Sequence, residues 1–136
     1  MKYEFSLFDL QEQENPFKGK PIRLIEMFGG YGSQLLAMKY LGLNVEHWKL
    51  IEWGVPSIWA YNHIHTRDFT DYSKGMTREE VCEKLFAFGI SADYDKPMKL
   101  ENIKRRPEEW QRKTYNDIIA TKNLVNIMSV RGGNLR

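Results

Sequence analysis

Three observations predict an α/β fold with parallel strands. An apolar run over residues 22–27 leads into a cluster of glycines, Phe28-Gly-Gly-Tyr-Gly32. A helical pattern follows that turn and stops at Gly42. A second apolar run, residues 45–52, is followed by a helical pattern opened by Pro56. Strand, helix, strand, helix is how a parallel sheet begins, because each helix carries the chain back to the end of the sheet where the previous strand started.

Residues 1–20 read as an N-terminal extension, with a turn at Asn15-Pro16. Ile22 to Met27 is a short buried strand, and Phe28 to Gly32 the glycine-rich turn after it. Ser33 is placed as a helix N-cap, and Leu35, Leu36, Met38, Lys39 and Tyr40 continue that helix. Gly42 is placed to end it in a left-handed conformation. The segment "HWKLIE" is too apolar for a loop and completes the second strand. Pro56 falls in the first turn of the next helix, where its missing N–H costs nothing. Residues 21–65 thus form one βαβα unit.

Residues 66–130 are mainly helical. Thr77-Arg-Glu-Glu80 has the form of a capping box. Val81, Leu85, Phe86 and Phe88 supply an apolar stripe and Gly89 a stop, before the loop-like "SADYDKPMK". Pro107 opens a long helix with Trp110, Tyr115, Ile118 and Ile119 on one broad face. Residues 124–130 fit a helix end or a strand, and residues 131–136, after the Arg131-Gly-Gly turn, are assigned as the start of a third strand.

The bulk numbers bound the function. At 136 residues, 42% hydrophobic and 13% aromatic, the chain has the composition of one packed domain. A net charge of +2 excludes a polycation. Between Lys96 and Lys113, however, seven Lys or Arg face three Glu, a local +4. That segment fits a phosphate-facing patch or a solvated helix face, and Lys104-Arg105-Arg106 within it fits either a DNA contact or a soluble helix start. The single cysteine, Cys82, allows no internal disulfide and argues against a cysteine-based metal site. His47, His63 and His65 form no ligand pattern, so no metal is expected. No apolar run is long enough to span a bilayer, and a cytoplasmic location is expected.

The turn can be written Glu26-x-Phe28-x-Gly30-x-Gly32. Spaced glycines after a strand let backbone approach a ligand, although such turns also serve packing alone. Glu52 lies 20 residues after Gly32, at the end of the second strand. A carboxylate there can accept hydrogen bonds from both hydroxyls of a ribose, and Trp53 beside it can pack on a purine. The plainer alternative makes Glu52 a surface residue and Trp53 a core one. A dinucleotide fingerprint wants a third glycine where this chain has Leu35. The turn fits S-adenosylmethionine better, since that ligand carries no phosphates.

"IEMFGGYGSQLLAMKYLG" resembles the first motif of the DNA (cytosine-5) methyltransferases, and "EWGVPSIWAYNHIH" resembles their second. The likeness covers residues 22–65, and "TDYSKGMTREEV" and "YNDIIATKNLVNI" are similar to the helical insertion of phage and Firmicute members. It implies an incomplete Rossmann-like class I methyltransferase sheet with that insertion. It further implies that Phe28, Gly30 and Gly32 border an S-adenosylmethionine site, that Glu52 binds the ribose hydroxyls and that Trp53 stacks on adenine. Asn134-Leu135 is the candidate for the third motif, which contacts the adenine edge.

Three departures stand out. Glu26 replaces the family's usual Asp, Gly54 stands where an Asp is common, and Asn134 brings no charge. The family's Pro-Cys-Gln nucleophile loop and its later Glu-Asn-Val motif do not occur in the sequence, and Cys82 in "EEVCEKL" is no substitute, so no catalytic residue is assigned. The resemblance implies methyl transfer to cytosine C5 in DNA, as in restriction–modification, by a complete enzyme of which this is the cofactor-binding N-terminal portion. A strand sequence such as Ile22-Arg-Leu24-Ile25 is poorly suited to a free sheet edge, so a second polypeptide, another copy of the chain or the insertion helices folded over the gap are expected to cover it. Two alternatives are a repurposed non-catalytic inhibitor or regulator of phage origin, and a nucleotide-binding protein that shares only the opening.

Overall fold

The computed structural model describes residues 19–136. The N-terminal extension up to residue 18, with its Asn15-Pro16 turn, lies outside the described residues. The fold is mixed α/β. Strands β1 (Ile22–Met27) and β2 (Val45–Ile51) form a two-stranded parallel sheet, joined by helix α1 (Ser33–Tyr40). Ser33 is the first helical residue rather than the cap. The cap is Gly32, in left-handed conformation with no side-chain hydrogen bond, because the turn needs a positive φ at that point. At the other end Gly42 N–H bonds the Lys39 carbonyl and Leu43 N–H the Met38 carbonyl, closing the helix around a left-handed Gly42.

The strand pairing holds an irregularity that positions the site. Leu24 pairs with His47 but Ile25 pairs with Lys49, so Trp48 is an extra residue in β2. Strict alternation would put Val45 and Leu50 on opposite faces. The bulge resets the phase, and Val45 and Leu50 pack into one cluster with Leu24, Leu35 and Tyr61. The side chains after Trp48, Glu52 included, follow the reset phase.

Helix α2 (Val55–Tyr61) carries Pro56 in its first turn and runs on into a π-helical turn, Asn62–Thr66, which ends at left-handed Arg67. Helix α3 (Arg78–Phe88) has both bonds of the capping box. Glu80 N–H donates to Thr77 Oγ1 at 3.2 Å, and Thr77 N–H donates to Glu80 Oε2 at 2.7 Å. Helix α4 (Leu100–Lys104) falls in the basic stretch that fits a phosphate-facing patch or a solvated helix face, and α5 (Glu108–Ala120) starts after Pro107. The main core joins Val55 and Ile58 of α2 to Val81, Cys82 and Leu85 of α3, Ile103 of α4, and Tyr115 and Ile118 of α5. Phe86, expected in the stripe, is exposed, because one step past Leu85 turns it about 100° away from that face. Ile119 is exposed for the same reason, one step past Ile118.

The chain returns to the sheet at Asn123. Leu50 N–H donates to the Lys122 carbonyl at 3.4 Å, and Leu124 N–H to the Leu50 carbonyl at 2.8 Å, a parallel bridge on the free side of β2. Residues 122–124 thus sit where a third strand belongs. Residues 131–136 are not its start. Gly132–Leu135 is a 3-10 turn in which Asn134 N–H bonds the Arg131 carbonyl, so its backbone groups serve the turn instead of a ladder. No helix among the described residues is long and apolar enough to cross a membrane.

Candidate functional site

Three segments meet at the C-terminal ends of the strands. Phe28 comes from the glycine turn, residues 51–53 from the end of β2, and residues 125–128 from the chain just past the third-strand position. They enclose a cavity of about 230 Å³ with mainly apolar walls. The end of the strands is where ligands bind in open parallel sheets, since the loops there diverge.

Glu52 organises the floor. Its carboxylate accepts from Gly30 N–H at 2.9 Å through Oε2 and from Gly54 N–H at 2.7 Å through Oε1. It is 7% exposed, so it is no surface residue. Each oxygen retains a lone pair beyond these bonds. The peptide of Glu52 is fixed in turn by Asn123. Asn123 Oδ1 accepts from Glu52 N–H at 3.1 Å and from Val125 N–H at 2.9 Å, and Nδ2 donates to the Glu52 carbonyl at 2.8 Å. One buried amide therefore ties the end of β2 to the far wall of the cavity.

Backbone strain concentrates on the same walls. Phe28 (φ 55°) and Val125 (φ 59°) are both left-handed without being glycine. For a β-branched residue such as Val125 this is a true outlier, and strain of this kind gathers at binding sites. The glycines divide by role. A Cβ on Gly29 would strike Leu50, and one on Gly32 would strike His65 and Tyr61, so packing accounts for both. Gly30, also left-handed, has open space where a Cβ would stand. Packing alone does not explain an open glycine held by a buried carboxylate.

Behind the turn lies a second buried carboxylate. Glu26, 2% exposed, accepts from Leu35 N–H at 3.1 Å through Oε1 and from the Tyr61 hydroxyl through Oε2. Tyr61 Oη lies 3.0 Å from His47 Nδ1, and His47 Nε2 lies 2.7 Å from the Thr121 carbonyl. A carbonyl only accepts, so Nε2 carries the proton. Burial pushes the His47 pKa below its ordinary value, and burial together with Glu26 pushes that of Tyr61 well up. This chain of contacts fastens the start of α1 to β2 and α2.

Of the residues singled out by sequence, Phe28, Glu52 and Trp53 line the cavity, and Gly30 borders it through Glu52. Trp53 also packs against the main core. Gly32 lies on the far side of the turn, against His65. Asn134 and Leu135 are not brought to the cavity. The Leu135 carbonyl accepts from Trp48 Nε1 at 2.9 Å, which holds that end of the chain beside the bulge. The sequence reading missed Asn123, Val125 and Asn126. The signal was "KNLVNI", an apolar run with flanking Asn residues that fits a strand. Gly54 has a local explanation, for a Cβ there would strike the Tyr94 ring, whose hydroxyl lies 2.6 Å from Ser57 Oγ and accepts from Ser57 N–H.

The chain matches no protein-family model, and no curated protein is similar to it. Among the described residues no group of three or more His, Cys, Asp or Glu is placed to hold a metal ion. Cys82 is buried in α3, and burial pushes its thiol pKa up, the opposite of what a nucleophile needs.

Proposed function

We propose that this chain is the S-adenosylmethionine-binding N-terminal portion of a DNA cytosine-5 methyltransferase. The observation that carries this reading is the strained, mainly apolar cavity at the strand ends with Glu52 on its floor. The residues fit the cofactor's nucleoside half. A cavity of about 230 Å³ is below the roughly 300–1,000 Å³ of sites for whole drug-sized ligands, but it is of the order needed for a purine. Trp53, Ile51, Val125 and Ile127 would hold the adenine by apolar contact. The free lone pairs of Glu52 would accept from the ribose hydroxyls, while its bonds to Gly30 and Gly54 keep the carboxylate still. The exposed Phe28 side chain would lie along the rest of the ligand. When bound, the cofactor supplies an electrophilic methyl group. No group in this sequence offers a thiolate to a cytosine, so transfer to DNA would draw on catalytic residues outside this sequence, and a cytoplasmic location goes with a DNA substrate.

A non-catalytic binding module of phage origin is the second reading, favoured by one observation. Both Glu52 oxygens already have backbone donors, so the residue has a structural role without any ligand. Calorimetric titration with S-adenosylmethionine separates the two. The first reading expects saturable binding that weakens by about tenfold or more in Glu52→Gln and in Trp53→Ala, with circular dichroism showing both folded. Absence of binding by the wild-type protein would leave the second reading.

A further inference from the structure

A second cavity lies away from the first, bounded by α1, β2, the π-helical turn and the end of α5. Its volume is about 250 Å³, and Lys39, Val45, His47, His65, Thr66 and Lys122 are among its lining residues. No carboxylate lines it. Lys39 comes from α1 and Lys122 from the segment after α5, and neither has a carboxylate within 4.0 Å among the described residues. Lys122 Nζ instead lies 5.6 Å from the centre of the Trp48 ring. Thr66 Oγ1 is the one buried side-chain polar atom among the described residues with no hydrogen-bond partner. Leaving a buried hydroxyl unpaired is costly and rare, so such a group calls for a reason.

The backbone here is also unusual. His65 and Thr66 sit on the π-helical turn, a rare feature that is frequent at functional sites. Lys122 is left-handed (φ 50°) without being glycine. The two histidines are held by the protein, His47 by the Thr121 carbonyl and Tyr61, and His65 by the Tyr31 carbonyl at 2.8 Å. They form walls, which leaves the two ammonium groups and the Thr66 hydroxyl as donors. The buried carboxylate of Glu26 does not line the cavity, and its oxygens accept from Leu35 N–H and the Tyr61 hydroxyl.

We infer that this cavity is a binding site for a phosphate group. Two lysines from different elements supply charge, and an anion gives the Thr66 hydroxyl the acceptor it lacks. The charge of the two lysines, rather than the volume, selects the phosphate, free or as the end of a phosphomonoester. The site is independent of the S-adenosylmethionine reading.

The test is an NMR titration of the ¹⁵N-labelled protein with inorganic phosphate at constant ionic strength, repeated with a nucleoside 5′-monophosphate and with chloride. Expected are saturable shifts at His47, Thr66 and Lys122 with either phosphate compound below about 10 mM, and none with chloride. Tighter binding of the monophosphate identifies an esterified ligand, and equal binding free phosphate. A Lys39→Gln, Lys122→Gln double variant, changed only at exposed side chains, should bind at least about tenfold more weakly. Thr66→Val should lose severalfold and Thr66→Ser should recover it. Linear shifts that match those of chloride, or an affinity unchanged in the double lysine variant, would overturn the site.

Discussion

Among the described residues, the core shared by α3, α4, α5 and the start of α2 contains ten buried apolar side chains, whereas the cluster beneath α1 contains three. The helical part thus has the larger apolar core, together with buried polar groups of its own such as Gln111 and Asp117. The strand–turn part makes up its deficit with buried carboxylates, Glu26 and Glu52, that accept from backbone N–H groups of the glycine turn and α1. The contrast follows from what each part is made of. A glycine-rich turn has few side chains to pack, so hydrogen bonds to charged acceptors fix it instead. Apolar residues left on the surface of this part, Met27, Phe28, Tyr31, Tyr40 and Leu41, fit the same picture of a face that carries little core.

Substitutions sharpen or break that contrast. The largest effect is expected from Leu85→Ala or Ile118→Ala, which open cavities in the main core and should cost about 2–5 kcal/mol in urea unfolding. A loss confined to the helical part, with the strand–turn signals unmoved, would mean that the two parts unfold separately. Glu26→Gln comes next, at about 1–3 kcal/mol, because an amide offers one acceptor oxygen where two donors arrive. Its signature is faster hydrogen exchange at the Leu35 amide. If that amide stays protected, the carboxylate is not what holds α1.

Thr77→Ala removes the cap of α3 and should cost about 1 kcal/mol, without changing ligand binding at the strand ends. The pH effect from His47 is the smallest. Its folded pKa is depressed below 6.5, so the unfolded chain takes up a proton first. Stability is therefore full above about pH 6.5 and falls as the pH drops from there through the folded value. His47→Gln should flatten the unfolding midpoint across that window. The carboxyls of Asp68, Asp71 and Asp93 are held below their ordinary range by local hydrogen bonds, so their contribution is lost only at more acid pH. A slope between pH 7 and 5 that survives in His47→Gln would assign the effect to another group.

Much of the site was legible locally. Phe28, Gly30, Glu52 and Trp53 follow from a strand, a spaced-glycine turn and an acid at the end of the next strand, all within a short span of chain. The far wall was not legible. Asn134-Leu135 and the residues around Asn123 both offer an Asn beside apolar residues, and only the bridge from Leu50 to Asn123 selects the second.

The sequence by itself determined the elements whose signals act between near neighbours. These are the first two strands, the Gly42 and Gly89 stops, the Thr77 capping box and the Pro107 helix start. Their energies are set by a few adjacent residues, so local reading suffices. Tertiary structure alone decided the bulge at Trp48, the phase of Glu52, the buried roles of Glu26 and Asn123, and the cavity between α1 and α5. Each depends on groups far apart in the chain, and no local pattern records which distant donor a buried acceptor will meet.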